Sequence, residues 1–164
     1  MDSNVLVKPV FSDQSEKVIK LILPIQQIEF NVQVTLEDQP DLVDIDNYYH
    51  KTGGCFWGAF ANGELIGTIA LINIGNNSGA IRKMFVKKDF RGKESGIAQR
   101  LLETLLNFAK DKNITTILLG TVPVLKAALR FYERNGFKEI EEKKLPSYFP
   151  RMKADTVFYC YDNS

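Results

Sequence analysis

Residues 80–102 read AIRKMFVKKDFRGKESGIAQRLL. The stretch changes its period halfway. Ala80 to Val86 carries the aliphatic and aromatic residues of a strand. From Ile97 the apolar residues return at helical spacing, and a helix is expected over Ile97 to Lys112. Between them lies a loop, Asp89 to Gly96, with two glycines and the basic side chains of Arg91 and Lys93. The first N–H groups of a helix lack intrahelical partners, and the helix dipole is positive at that end. Glycine lets backbone amides come close to a ligand. Together these parts describe a cradle for a phosphate or pyrophosphate group. A solvated surface turn is the other reading, and the loop alone does not separate the two. It is neither a GxxxxGK loop followed by Ser or Thr nor a GxGxxG dinucleotide fingerprint.

Upstream, two apolar runs, Phe56 to Ala61 and Leu65 to Ile74, flank Asn62-Gly63. That dipeptide favours the type I′ hairpin turn, whose two central residues take positive φ. NNSG marks the next turn, so Ala80 to Val86 reads as the third strand of an antiparallel meander. At the N-terminal end, Val5 to Phe11 reads as a strand. A helix follows with Val18, Leu21, Ile22, Ile25 and Ile28 at helical spacing, ended or kinked at Pro24. A second short helix is expected in EDQPDLVDIDNYYHKTGG, with Pro40 in its first turn. Downstream, Ile114 to Thr121 is an almost wholly apolar strand of the kind covered on both faces. VLKAALRFYERNGF is a helix closed by Asn135-Gly136, and KADTVFYCYD is a last strand. The resulting order, β-α-α-β-β-β-α-β-α-β, is a mixed α/β fold over 1–164: a meander joined to a strand–helix–strand crossover.

Composition narrows the function. Twenty-one Lys and Arg against twenty Asp and Glu leave a net charge of +1, which gives no global reason to expect a nucleic acid. One His and two Cys do not make the usual four-ligand structural zinc site, so no metal is expected. No apolar run reaches the ~18 residues of a membrane span, and no signal peptide is recognisable, so a cytoplasmic protein is expected. Cys55 and Cys160 read as small buried hydrophobes.

MFVKKDFRGKESGIAQRLL resembles the acetyl-coenzyme A binding motif of the GNAT N-acetyltransferase superfamily. AALRFYERNGF resembles the segment that follows it there, and GGCFWGAFANGELIGTIALI is similar to the family's preceding hairpin. The resemblance spans roughly residues 50 to 140. It implies a mixed, mostly antiparallel sheet flanked by helices. It also implies direct transfer of acetyl from acetyl-CoA, as cosubstrate, to a primary amine of a small molecule or peptide. The family's pattern, Q/R-x-x-G-x-G/A, fits Lys93 to Ala98 with Lys in the first position. Counted from the strand, Arg91 takes the arginine's place instead, in a loop two residues longer. The pyrophosphate candidates are therefore Arg91, Gly92, Lys93, Glu94, Ser95, Gly96, Ile97 and Ala98, chiefly through the backbone amides from Glu94 on. Backbone groups of Met84, Phe85 and Val86 would pair with the pantetheine arm as an added strand pairs with a sheet edge. The cofactor would lie between the strands Ala80–Val86 and Ile114–Thr121.

By the same resemblance, Tyr132 would give a proton to the departing thiolate; its packing alternative is the stripe Leu125, Ala128, Leu129, Tyr132. Leu125 stands where relatives often carry asparagine, and Ala80 where some carry an acidic residue. Glu29, Asp44, Asp46 and His50 remain as candidates for the general base. Thr121, Trp57, Tyr48, Tyr49, Tyr148, Phe149 and Arg151 are candidates for the pocket wall. A non-catalytic acyl-CoA sensor is the alternative function, and a homodimer through a sheet edge is a further expectation.

Overall fold

The computed structural model describes residues 4–92 and 94–164. Seven strands form one sheet: β1 (Val5–Pro9), β2 (Cys55–Ala61), β3 (Glu64–Gly75), β4 (Ser78–Val86), β5 (Thr116–Thr121), β6 (Lys138–Ile140) and β7 (Val157–Asp162). Their spatial order is β1-β2-β3-β4-β5-β7-β6. Only β4 and β5 run parallel; every other neighbouring pair is antiparallel. Three α-helices accompany the sheet: α1 (Ser15–Pro24), α2 (Ile97–Asp111) and α3 (Lys126–Arg134).

The hairpin turns follow their residue chemistry. Asn62 and Gly63 take φ of 52° and 84°, and Asn76 and Asn77 take 54° and 56°, as type I′ geometry demands. Pro24 closes α1 without a break, because the chain continues as one wider π-helical turn, Ile25–Glu29. The second expected helix does not form as an α-helix. A 3₁₀ turn at Pro40–Val43 and a π-helical turn at Asp46–His50 occupy its place. The side chains there are engaged across the fold: Asp41 accepts from the Tyr49 hydroxyl and Asp46 from the Ser12 amide. Strand β6 was not legible as a strand: it has three residues, two of them charged and exposed.

Each face of the sheet is covered. Alternate residues of β2 illustrate the division. Cys55, Trp57 and Ala59 face the cluster built with Ile97, Leu101 and Leu105 of α2 and Tyr132 of α3. Phe56 and Phe60 face Val18 and Ile22 of α1, with Leu42, Ile45 and Tyr49. A third cluster, Ala80, Leu118, Phe149 and Phe158, closes the second face of β5. That strand is therefore buried on both sides, as its apolar run foretells.

Strands β4 and β5 pair only from Ser78–Thr116 to Ile81–Leu119, and beyond that they part. The cause is visible in β4. Between Thr68↔Phe85 and Ala70↔Arg82, β4 spends one residue more than β3. Lys83 takes φ of 54° at this bulge, and the Thr68 hydroxyl donates to its carbonyl at 2.7 Å. A bulge bends and twists its strand away from the regular ladder. The second half of β4 is thereby left with a free edge toward β5.

Candidate active site

The opening between the parted strands is a cavity. One wall is Arg82 to Phe85 of β4; the other is Gly120 and Thr121 of β5. Tyr132 of α3 lies between them. Gln26 and Phe30, just after α1, cover one side, and Met152 and Asp155 of the loop before β7 cover another.

Tyr132 is 4% exposed. Its ring packs on Phe137, with centroids 5.4 Å apart, and on Tyr159 at 6.2 Å. Burial pushes its hydroxyl pKa well up, so the group stays protonated at neutral pH. No described residue hydrogen-bonds its hydroxyl, and the residue lines the cavity. Tyr132 is thus part of the core and also lines the cavity.

At the wide end of β4 the loop enters α2 through Gly96, whose φ of 66° is left-handed. No side chain among the described residues caps this helix. The first α-helical bond runs from the Arg100 amide to the Gly96 carbonyl, at 3.0 Å, so the amides of Ala98 and Gln99 have no acceptor among the described residues. Gly92, φ 113°, Glu94 and Ser95 form the turn before it. Lys93 lies outside the described residues. Arg91 is committed elsewhere. Its Nε donates to the Val86 carbonyl at 2.7 Å, and its guanidinium holds both Glu29 carboxylate oxygens. It also lies over the Phe30 ring. Arg91 thus ties the end of the π-helical turn to the end of β4.

The candidates for a base are all engaged. Glu29 is held by Arg91, whose hydrogen bonds lower its pKa. Asp44 accepts from Asn47, and Asp46 accepts from the Ser12 amide. The His50 Nε2 lies 2.7 Å from the Val10 carbonyl oxygen, and its ring stacks on Phe11. Ala80 is fully buried. Among the aromatic candidates, Trp57 is core against Phe108, and Phe149 packs on Phe158. Tyr148 is exposed, and Arg151 pairs with Glu142. Thr121 does line the cavity.

Three charged residues that sequence reasoning missed also line it: Arg82, Lys83 and Asp155. Lys83 is buried, its Nζ 2.6 Å from Gln39 Oε1 and 3.6 Å from Asp41 Oδ2. Asp41 in turn accepts from the Tyr49 hydroxyl at 2.5 Å, and Gln39 exchanges hydrogen bonds with Gln26. This chain links the β4 bulge to the segment covering the cavity. Burial, opposed by Asp41, lowers the Lys83 pKa to about 8. Arg82 is half-buried, and its guanidinium meets only the Pro150 carbonyl, at 3.4 Å, and the Met152 sulfur. Among the described residues, no carboxylate lies within ion-pair distance of it.

The sheet is thus opened between its two parallel strands, β4 and β5. The model of the acetyltransferase (GNAT) family matches residues 19–137, and the chain belongs to that family. An acetyltransferase of the GNAT family from Staphylococcus aureus Mu50 superposes with a TM-score of 0.93 at 37% identity, over 98% of this chain and 99% of that one. An acetyltransferase from Streptococcus agalactiae 2603 gives 0.92 at 28% identity, over 98% and 99%. Among curated relatives, the N-acetylaspartate synthetase of Danio rerio is 39% identical over 124 residues, 73% of this chain. The chain spans only 43% of that protein's length. No helix among the described residues is long and apolar enough to cross a membrane, and no three potential metal ligands gather among them.

Proposed function

We propose that this protein transfers acetyl from acetyl-CoA to a primary amine, and that the amine's parent molecule also carries a carboxylate. The observation that carries the reading is the opening itself. It offers a free strand edge at Met84 and Phe85, amides at Ala98 and Gln99 that have no acceptor among the described residues, and a neutral hydroxyl on Tyr132. These fit, in turn, the amide-bearing pantetheine arm, the pyrophosphate and the sulfur of the cosubstrate. Gly92 to Ala98 supply a close backbone approach. Arg91 shapes the loop through Val86 and Glu29, which leaves the amides as the anion contacts.

The chemistry follows from what these groups do. Tyr132, kept protonated by burial, donates to the sulfur as the carbon–sulfur bond breaks. Backbone pairing along β4 fixes the thioester against that hydroxyl, which converts a bimolecular encounter into a positioned one. Arg82, a half-buried cation with no carboxylate within ion-pair distance among the described residues, suits an anionic group on the acceptor. The relatives named N-acetylaspartate synthetase, 37–40% identical over their matched regions, support an amino-acid type of acceptor.

Thiol release from acetyl-CoA tests the reading. Glycine and L-aspartate are expected to drive release, whereas ethylamine and putrescine, which lack a carboxylate, are expected to be far poorer. Arg82→Gln is expected to raise KM for the carboxylated acceptors and leave that for acetyl-CoA unchanged. Absence of release with every amine would refute the transferase reading and favour an acyl-CoA sensor. Equal release with all four would refute the carboxylate requirement alone.

A further inference from the structure

The reaction needs a group to take the proton of the attacking nitrogen, and β4 supplies no free one: Ala80 is apolar, the Lys83 Nζ is held by Gln39 and Asp41, and the four acidic or imidazole candidates are engaged elsewhere. Asp155 lies on the other side of the opening. Its position is unusual. A Cβ added to Gly120 would fall 2.5 Å from Asp155 Oδ2 and 2.9 Å from its Cγ, so the carboxylate rests directly on the glycine backbone. Gly120 is the first residue of β5 beyond the last β4–β5 pair, Ile81–Leu119. The carboxylate therefore sits at the vertex where the strands part, in the same cavity as Tyr132. The loop carrying it is pinned: the Thr156 amide donates to the Thr121 carbonyl at 2.9 Å, and the Asp155 amide to the Met152 carbonyl at 3.1 Å.

We propose that Asp155 is the catalytic base that accepts the proton of the acceptor nitrogen, and that residue 120 is glycine so that this carboxylate can reach the vertex. The inference rests on the transferase reading above. In the step, the lone pair of a neutral amine forms the N–C bond to the thioester carbon while the C–S bond breaks. The nitrogen's proton passes to the Asp155 carboxylate, and the Tyr132 hydroxyl proton passes to the thiolate. Asp155 then returns its proton to water and Tyr132 regains one, so the products are amide and thiol. The charged groups facing Asp155 are Arg82 and Lys83 from β4 and Arg151 from its own loop. They lower its pKa, but burial raises it by more, and the result is a carboxylate more basic than one in water.

Asp155→Asn preserves shape and removes the base. With glycine or L-aspartate as acceptor, kcat is expected to fall about a hundredfold or more, with acetyl-CoA affinity by calorimetry unchanged. The wild-type kcat should fall as pH drops through the raised Asp155 pKa, and this acid limb should vanish in Asp155→Asn. Asp155→Glu should restore part of the rate. Gly120→Ala should lower kcat by displacing the carboxylate, and the double variant should be no slower than Asp155→Asn alone. If Gly120→Ala fails to fold, the acid limb decides. A kcat for Asp155→Asn within about twofold of wild type would overturn the assignment while leaving the transferase reading intact, as would an unchanged acid limb. No thiol release by the wild type would overturn both.

Discussion

Lys83 gives the sharpest test of the cavity's electrostatics. Its ammonium is 4% exposed at the β4 bulge, with Asp41 3.6 Å away. Burial lowers its pKa to about 8 from the usual 10.5, despite Asp41. At 1.36 kcal/mol per unit, holding the charged form in the folded protein costs about 3 kcal/mol. The folded pKa lies below the unfolded one, so between these two values the unfolded chain binds more protons. Stability contributed by this group therefore rises with pH through that window and is absent at lower pH. From pH 8 to 9 the gain is about 1 kcal/mol. Above pH 9 the Cys55 thiol opposes it, because burial raises its pKa from 9.0 to about 11 and the folded state keeps a proton that the unfolded state loses. Lys83→Met removes the first effect and keeps the second. Urea unfolding of both proteins at pH 7, 8 and 9 should show wild type gaining about 1 kcal/mol on the variant between pH 8 and 9. Parallel pH profiles for the two proteins would refute the reasoning.

Three further outcomes follow from the same geometry. Tyr132→Phe should lower kcat by about tenfold to a hundredfold with acetyl-CoA affinity unchanged, if its hydroxyl donates the proton to the thiolate as proposed; steady-state kinetics beside calorimetry checks this. Gly96→Val should weaken CoA binding in calorimetry, because φ of 66° strains a β-branched residue and moves the amides that follow. Arg91→Gln and Glu29→Gln should each cost about 1 kcal/mol in urea unfolding, and the double variant should cost less than their sum, since they share one half-exposed pair while Arg91 also holds the Val86 carbonyl.

The frame of the fold was legible where chemistry is local. Asn62-Gly63 and NNSG dictate their own turns, and the apolar run of β5 records burial on both faces. The glycine-bearing entry to α2 was legible for the same reason. The vertex was not. Arg82 and Lys83 look like ordinary polar positions of a strand, because a bulge leaves no mark in the hydrophobic alternation. Asp155, in RMKADTVF, looks like part of a solvated turn until the fold lays it on Gly120. Arg91 is one of two basic candidates in its loop; its pairing with Glu29 is a contact between distant segments that the sequence does not show. Nonlocal pairing of charges is what one sequence conceals.

The most direct test of the central claim is a crystal structure of the protein with coenzyme A. The account predicts the pantetheine arm along Met84 to Val86, the pyrophosphate on the amides that open α2, and the sulfur within hydrogen-bond distance of the Tyr132 hydroxyl. Coenzyme A bound with its sulfur outside the β4–β5 opening, away from Tyr132, would contradict it.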